Sequence, residues 1–355
     1  MIERGRRRLA LATLLAAQAL LLACAAPASA PATPAGGASS PAAPAAANPP
    51  PAAAPAPAHV NYAQITMTAL SWPFIVAGPA GFYARHGLEV DTTVGGTTAV
   101  TAQALVAGAA DVAQLNVIQH IAAVQKGADI VVVAGNTAVP IYSLMAAPEI
   151  ASYADLRGKP LAIAGVTDPL NYVLRQMLAA NQLGPNDYDM IPVGGTPDRL
   201  AAVQKGATAA TLLAQPDDFR AEALGLRRLG LSTDYVDALV YTESSVRRDW
   251  ARQNRDVLVR FLRAFLDASR WFYDPANRAE AVRILVEESK ADPVFAERTY
   301  DLYLATRKTL VLDGEVSLEG LRVVTDNWQE FGLTEPAPPT STWLDLSYLE
   351  EAQRR

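Results

Sequence analysis

The 355-residue chain is poor in the side chains that carry most covalent and metal chemistry. It has one cysteine, Cys24, and three histidines, His59, His86 and His120. A lone thiol cannot close an internal disulfide, so the fold must hold without one. The histidines are far apart and none sits in a His-Glu-x-x-His arrangement, so a zinc hydrolase is unsupported and no metal site is expected. A Gly-x-Ser-x-Gly elbow and a Gly-x-x-x-x-Gly-Lys-Ser/Thr loop are both absent, which removes the usual serine-hydrolase and phosphate-loop signatures. No pair of carboxylates is singled out by spacing, and no cofactor is called for. A basic excess is missing too. The formal net charge is −6, and residues 1–23 hold four Arg and one Glu, so the remainder carries −9. Such acidity argues against a nucleic-acid partner, because phosphate contacts need a basic face. Beyond the N-terminus there is no run of 18 apolar residues, the length at which a spanning helix is considered.

What is present begins with a basic stretch, Arg4, Arg6, Arg7 and Arg8, followed by the 14-residue apolar run Leu9 to Leu22. That run is too short to cross a bilayer core and reads as the central part of a secretory leader. It ends in Leu21-Leu22-Ala23-Cys24, which resembles the bacterial lipobox; the resemblance implies cleavage before Cys24 and a lipid on its thiol. Arg6-Arg7-Arg8 leaves a twin-arginine route open beside the general one. Residues 25–58 contain only Ala, Pro, Ser, Thr, Gly and Asn. A stretch without large apolar groups cannot bury enough surface to offset its ordering entropy. It is expected to be a disordered tether over 24–58, with a contour of at most roughly 100 Å in extended geometry. The remaining body, from His59 onward, is long enough for about two domains.

An internal repeat suggests how that body is built. Val94-Gly95-Gly96-Thr97 recurs as Val193-Gly194-Gly195-Thr196, with flanks that match in order. In the first copy Ile65–Ala69 reads as a strand, Leu70-Ser71-Trp72-Pro73 as a loop, a helical stretch runs to His86, Glu89–Val94 is a strand, Ala99–Val106 a helix and Asp111–Leu115 a strand. In the second copy Pro160–Ala164 is a strand, Leu170–Ala180 a helix, Tyr188–Val193 a strand, Pro197–Gln204 a helix and Thr208–Leu213 a strand. Pro197 just inside a helix start, and Gly108 and Gly206 just past helix ends, are where those residues belong. Alternation of this kind predicts parallel β-α-β units and two α/β lobes. Asp129–Ala134 is a further parallel-strand candidate. Ile141–Ala146 and Ala238–Thr242 are extended segments suited to two crossings between lobes. Helices are expected over 254–273, 277–289, 293–307 and 317–331, covering the first lobe.

Several phrases then resemble a known family. Gly81-Phe82-Tyr83-Ala84-Arg85-His86-Gly87-Leu88-Glu89-Val90, Ala104 to Ala113, Tyr153 to Ala162 and the tail Asp345 to Ala352 are similar, in that order, to the nitrate/sulfonate/taurine family of ABC-transporter solute-binding proteins, which also includes receptors for pyrimidine precursors of thiamine. The likeness covers residues 60–352. It implies an α/β, two-lobed periplasmic-binding-protein fold of type II with two crossovers, mixed sheets flanked by helices, and a ligand in the inter-lobe cleft. It implies lobe one from residues 59–150 and 236–355 and lobe two from 151–235. It further implies a monomeric, lipid-anchored extracytoplasmic protein that takes a small-molecule ligand, docks on a membrane permease with its ATPase, and does no catalysis. A pyrimidine-precursor-synthase-like enzyme on the same fold and a ligand-sensing surface lipoprotein without a transporter are the rivals.

In open α/β sheets ligands sit beyond the carboxyl ends of strands, where helix starts present free N–H groups and a partial positive charge. The equivalent turns line the pocket of the family. The candidate ligand residues are therefore Ser71, Trp72, Gly96, Thr97, Asn116, Val117, Thr167, Asp168, Asn171, Thr196 and Gln215. Each has a plainer reading. Trp72 stacks on a planar ligand or packs at the lobe surface; Ser71 and Thr97 bind ligand or cap helices; Asp168 meets an amine or caps. Arg199 reads as a solvated helix position and His120 as a surface or core histidine. The site is expected to be polar and neutral, with no Lys or Arg in its turns.

Overall fold

The computed structural model describes residues 56–306, 309–333 and 336–354. The leader, Cys24 and nearly all of the expected tether lie outside the described residues.

Two mixed five-stranded sheets, each with exposed residues on an outer strand, form the body of the protein. The strands of the first sheet are β1 (Ala58–Gln64), β2 (Leu88–Val94), β3 (Val112–Asn116) and β4 (Ile130–Thr137), completed by β10 (Thr242–Arg247). The second sheet holds β5 (Ser143–Ala146), β6 (Lys159–Ile163), β7 (Tyr188–Pro192), β8 (Ala210–Leu213) and β9 (Arg227–Leu231). The strand orders are β2-β1-β3-β10-β4 and β7-β6-β8-β5-β9. In each sheet four strands run in one direction, and one antiparallel strand is wedged between the third and the edge. That wedge is exchanged. β5 follows β4 in the chain but belongs to the second sheet, and β10 follows β9 but returns to the first. The chain thus crosses between the sheets twice, at 138–142 and 232–241.

The helices are α1 (Trp72–Ala77), α2 (Phe82–Arg85), α3 (Thr98–Val106), α4 (Val117–Gln125), α5 (Leu170–Ala180), α6 (Thr196–Gln204), α7 (Asp217–Ala223), α8 (Arg248–Gln253), α9 (Arg255–Phe272), α10 (Arg278–Ser289), α11 (Pro293–Thr306), α12 (Leu318–Asp326) and α13 (Ser347–Gln353). The longest, α9, buries Leu258, Phe261, Leu262, Phe265, Leu266 and Phe272, a spacing that puts all of them on one face. Phe265 stacks on Phe74 of α1, with ring centroids 4.5 Å apart. Among the described residues no helix is long and apolar enough to cross a membrane.

Four expectations need correcting. The first strand is Ala58–Gln64, not 65–69, so Ala58 already pairs with Leu88 and is not tether. Residues 64–68 form a turn instead, in which Gln64 Nε2 donates to Thr66 O at 3.0 Å and the Thr66 and Thr68 hydroxyls meet at 3.0 Å. The Asp129–Ala134 candidate becomes β4, which pairs antiparallel with β10 rather than parallel. Residues 143–146 pair within the second sheet, so the chain has changed sheets before 143 rather than after 150. Finally, the C-terminal helical region does not cover the first sheet alone, because the short turn Trp328–Phe331 packs on α5 of the second.

Candidate functional site

The turn after β2 and the turn after β7 are the two copies of Gly-Gly-Thr. Gly96 N–H donates to Ile65 O at 2.9 Å and Gly194 N–H to Ile163 O at 3.5 Å, so each turn folds back over the end of the strand beside it. Gly96 (φ 77°) and Gly194 (φ 108°) both hold left-handed backbone, which explains a glycine in each copy. Each turn delivers a helix start. Thr97 caps α3, its Oγ1 accepting from Val100 N–H at 3.4 Å, and Gly195 precedes α6. Asn116, at the end of β3, caps α4 by accepting from Gln119 N–H at 3.1 Å. The loop 165–169 leads into α5, where Asp168 Oδ1 accepts from Leu170 N–H at 2.9 Å.

These ends meet around one cavity of about 250 Å³. From the first sheet it receives Gly96, Thr97, Thr98, Asn116 and Gln119; from the second, Gly165, Thr167, Asp168, Thr196 and Arg199; from the two crossings, Tyr142 and Tyr241. Gln119 Nε2 donates to Thr167 Oγ1 at 2.9 Å, a direct bond from one half to the other. The Tyr142 and Tyr241 hydroxyls lie 3.1 Å apart. Burial pushes Tyr142 up to about 12 and Tyr241 well above the ordinary tyrosine value, so both stay protonated and able to donate. First-turn amides of a helix have no intrahelical partner, and here those of Thr98, Ala99 and Thr196 belong to residues of the cavity wall.

Six of the eleven expected ligand residues line this cavity: Gly96, Thr97, Asn116, Thr167, Asp168 and Thr196. Five do not. Trp72 is fully buried among Phe272, Tyr300 and Tyr303, with centroids 4.8, 5.8 and 6.2 Å away, and its Nε1 donates to Ala281 O at 3.2 Å. It anchors α1 to the C-terminal helices, because a ring of that size finds more apolar contact there than at the loop surface. Ser71 is buried and donates to Gln114 Oε1 at 3.0 Å. Val117 packs in the core. Asn171 braces the loop, donating from Nδ2 to Gly165 O at 2.8 Å and Val166 O at 3.0 Å. Gln215 is turned away toward Asp218 Oδ2, 2.9 Å from its Nε2.

Arg199 is the residue the sequence reading misplaced. It is 4% exposed, not a solvated face. Its guanidinium folds back on its own helix start, donating to Gly194 O at 2.7 Å, Leu212 O at 3.2 Å, Thr211 Oγ1 at 3.2 Å and Thr196 Oγ1 at 3.4 Å. All four acceptors are neutral, and it makes no ion pair among the described residues. The site therefore carries a cation and is not the neutral one expected. Asp168 is its one charged companion in the wall. Burial pushes the Asp168 pKa up, against the pull of the Leu170 amide and of Arg199. The histidines lie elsewhere. His59 and His86 pair with Asp91 and Asp267 at 3.1 and 2.9 Å, and His120 is buried on the inner face of α4.

The family described as NMT1/THI5 like matches residues 69–279, a span holding nearly the whole cavity wall. The chain belongs to the NMT1/THI5-like family. No curated protein sequence matches this NMT1/THI5-like chain, but solved structures share its fold. The alkanesulfonate-binding protein SsuA from Xanthomonas axonopodis pv. citri, bound to MOPS, is 18% identical with a TM-score of 0.68, covering 82% of this chain and 100% of that one. The ligand-binding component of an ABC-type import system from Staphylococcus aureus, with zinc bound, is 16% identical with a TM-score of 0.69, covering 84% and 100%. The nitrate-binding protein NrtA from Synechocystis PCC 6803 is 20% identical with a TM-score of 0.57, covering 67% and 69%. The periplasmic-binding-protein architecture is thus shared over 82–84% of this NMT1/THI5-like chain.

Proposed function

We propose that the protein is the extracytoplasmic solute-binding component of an ABC-type importer, carried on a lipid at Cys24, which closes two lobes on a small organic ligand with an anionic head and presents it to a membrane permease. One observation carries this reading. The starts of α3 and α6, with the backbone amides of Thr98, Ala99 and Thr196 at residues of its wall, line the same cavity as an arginine that makes no ion pair among the described residues. Helix starts and a desolvated guanidinium both favour negative charge. The volume lies just under the usual range of about 300–1,000 Å³, which favours a small ligand. The importer components among the structural neighbours support the transport role, and the placement of all three histidines outside the wall favours binding over histidine-dependent chemistry.

A thermal-shift series with methanesulfonate, nitrate, benzoate and an aminopyrimidine tests it. A ligand that binds only the folded state adds about 2.7 kcal/mol at a hundred times its Kd, roughly a 5 °C rise in Tm. The expected outcome is a rise with an anion and none with its neutral analogue, methanesulfonamide for methanesulfonate. Equal shifts with charged and neutral partners, or none across the series, would reject the anionic site.

A further inference from the structure

The C-terminal region makes an excursion that the ligand cavity does not explain. It leaves the first sheet at β4, where Val311 N–H donates to Asn136 O at 3.1 Å and Ala138 N–H to Thr309 O at 2.9 Å. It rejoins the same strand at Val132, whose N–H donates to Trp343 O at 2.8 Å and whose carbonyl accepts from Asp345 N–H at 3.0 Å. On the way out, α12 passes so close to the second crossing that a Cβ on Gly320 would lie 2.7 Å from the backbone of Leu239 and Val240. The turn Trp328–Phe331 then lands on the second sheet's helix. Phe331 is 1% exposed and packs its ring on Tyr172, 4.9 Å between centroids. The Arg175 guanidinium donates to Glu330 O. Gly332, in left-handed backbone at φ 75°, runs against the back of the ligand loop, and a Cβ there would lie 3.5 Å from Thr167 Cγ2 and 3.7 Å from Val166 O.

We propose that residues 328–332 form a strap, anchored at both ends on the first lobe, that holds the second lobe's ligand loop at 165–171, which makes Tyr172, Arg175, Phe331 and Gly332 positioning residues of a cavity none of them touches. The assignment rests on that cavity being the binding site. Part of the loop's hold is internal. Its internal bonds are Asp168 N–H to Gly165 O, Asn171 N–H to Asp168 O, Leu170 N–H to Asp168 Oδ1 and the two bonds from Asn171 Nδ2. Leu170 is buried in the core, and the loop meets Gln119 at the front and the strap behind. The strap also lies on the path along which the lobes would part, so opening the cleft must either lift Phe331 from Tyr172 or drag the excursion along.

Hydrogen exchange on the full chain tests this without any ligand, so its outcome stands apart from that of the thermal-shift series. Phe331→Ala is expected to speed exchange of the Asp168, Leu170 and Asn171 amides at least tenfold, with the amides of β1 and β3 unchanged and with Phe331→Leu restoring most of the protection. Arg175→Met keeps the buried ring, serves should Phe331→Ala not fold, and is expected to raise the same amides by a smaller factor. Unchanged loop exchange in both variants, or an increase shared equally by β1 and β3, would overturn the strap and leave these residues with a purely structural role.

Discussion

A side chain's packing neighbours decide its job more than its address in the chain, and Trp72 and Arg199 illustrate this in opposite directions. Trp72 follows a strand-end loop, where a ligand-stacking ring would be placed, yet it is sealed among Phe272, Tyr300 and Tyr303. Truncating a buried tryptophan costs roughly 3–5 kcal/mol. Trp72→Ala is therefore expected to lower the denaturant midpoint strongly while the affinity of the folded fraction for its ligand stays the same; a large affinity loss with intact stability would return Trp72 to the site. Arg199 sits three residues past a Gly-Gly-Thr turn. In a helix the Cα–Cβ bond tilts toward the N-terminus, so a long side chain at that position folds back over its own turn. That tilt was a signal available from sequence. Tyr142 and Tyr241 gave none, because they come from the crossings, whose approach to the cavity depends on how both sheets are assembled.

Among the elements, those read correctly are the ones with a clear period and a glycine stop. α5 and the helix starts at Thr98 and Thr196 fall within a residue or two of expectation, and β2, β6 and β7 likewise. The first strand was misplaced because residues 65–69 alternate in polarity while forming a turn, and β1 has no comparable stop before it. Short segments such as α7, β9 and α13 were not picked out, since five to seven residues hold too little pattern to separate from loop. The caps carry both structure and function. Thr97 Oγ1 holds the Val100 amide and borders the cavity. Thr97→Ala is expected to cost about 1 kcal/mol, the usual worth of an N-cap, and to weaken ligand binding as well. Thr97→Ser should keep both. Denaturation midpoints alongside titration calorimetry separate the two losses, and an alanine variant with wild-type stability would show that the cap bond contributes little.

For the whole molecule, the two-sheet architecture was legible because the repeat is long enough to show its order, whereas the exchange of β5 and β10 was not, because an extended strand looks alike in either sheet. β10 and α4 also bring together a pair of buried ionisable groups whose effect is felt by the molecule as a unit. Glu243 and His120 are both fully buried, with Ser245 Oγ 2.7 Å from His120 Nδ1 and 3.5 Å from Glu243 Oε1. Burial holds the Glu243 carboxyl well above the usual carboxylate value. Burial, aided by Arg248, lowers His120 to about 3. A raised Glu pKa means the unfolded chain ionises first, so stability falls as pH rises above the model-peptide value of about 4.5. A lowered His pKa means the unfolded chain charges first, so stability falls as pH drops below about 6.5 toward 3. Each arm has a slope near 1.4 kcal/mol per pH unit. Glu243→Gln is expected to remove the alkaline arm alone, giving a Tm gain over the parent that grows as pH rises above about 4.5; a gain independent of pH would argue that the carboxyl is already ionised.

The exchanged strands also set an order on assembly. β3 and β4 cannot be joined until β10 arrives between them, and β10 is made only after every strand of the second sheet. A nascent chain therefore carries a first sheet with a gap one strand in from its edge while the second, which lacks nothing beyond Leu231, is free to close. Such distant pairing is slow, and open strand edges invite wrong partners while they wait. The half that emerges first is the half that matures last.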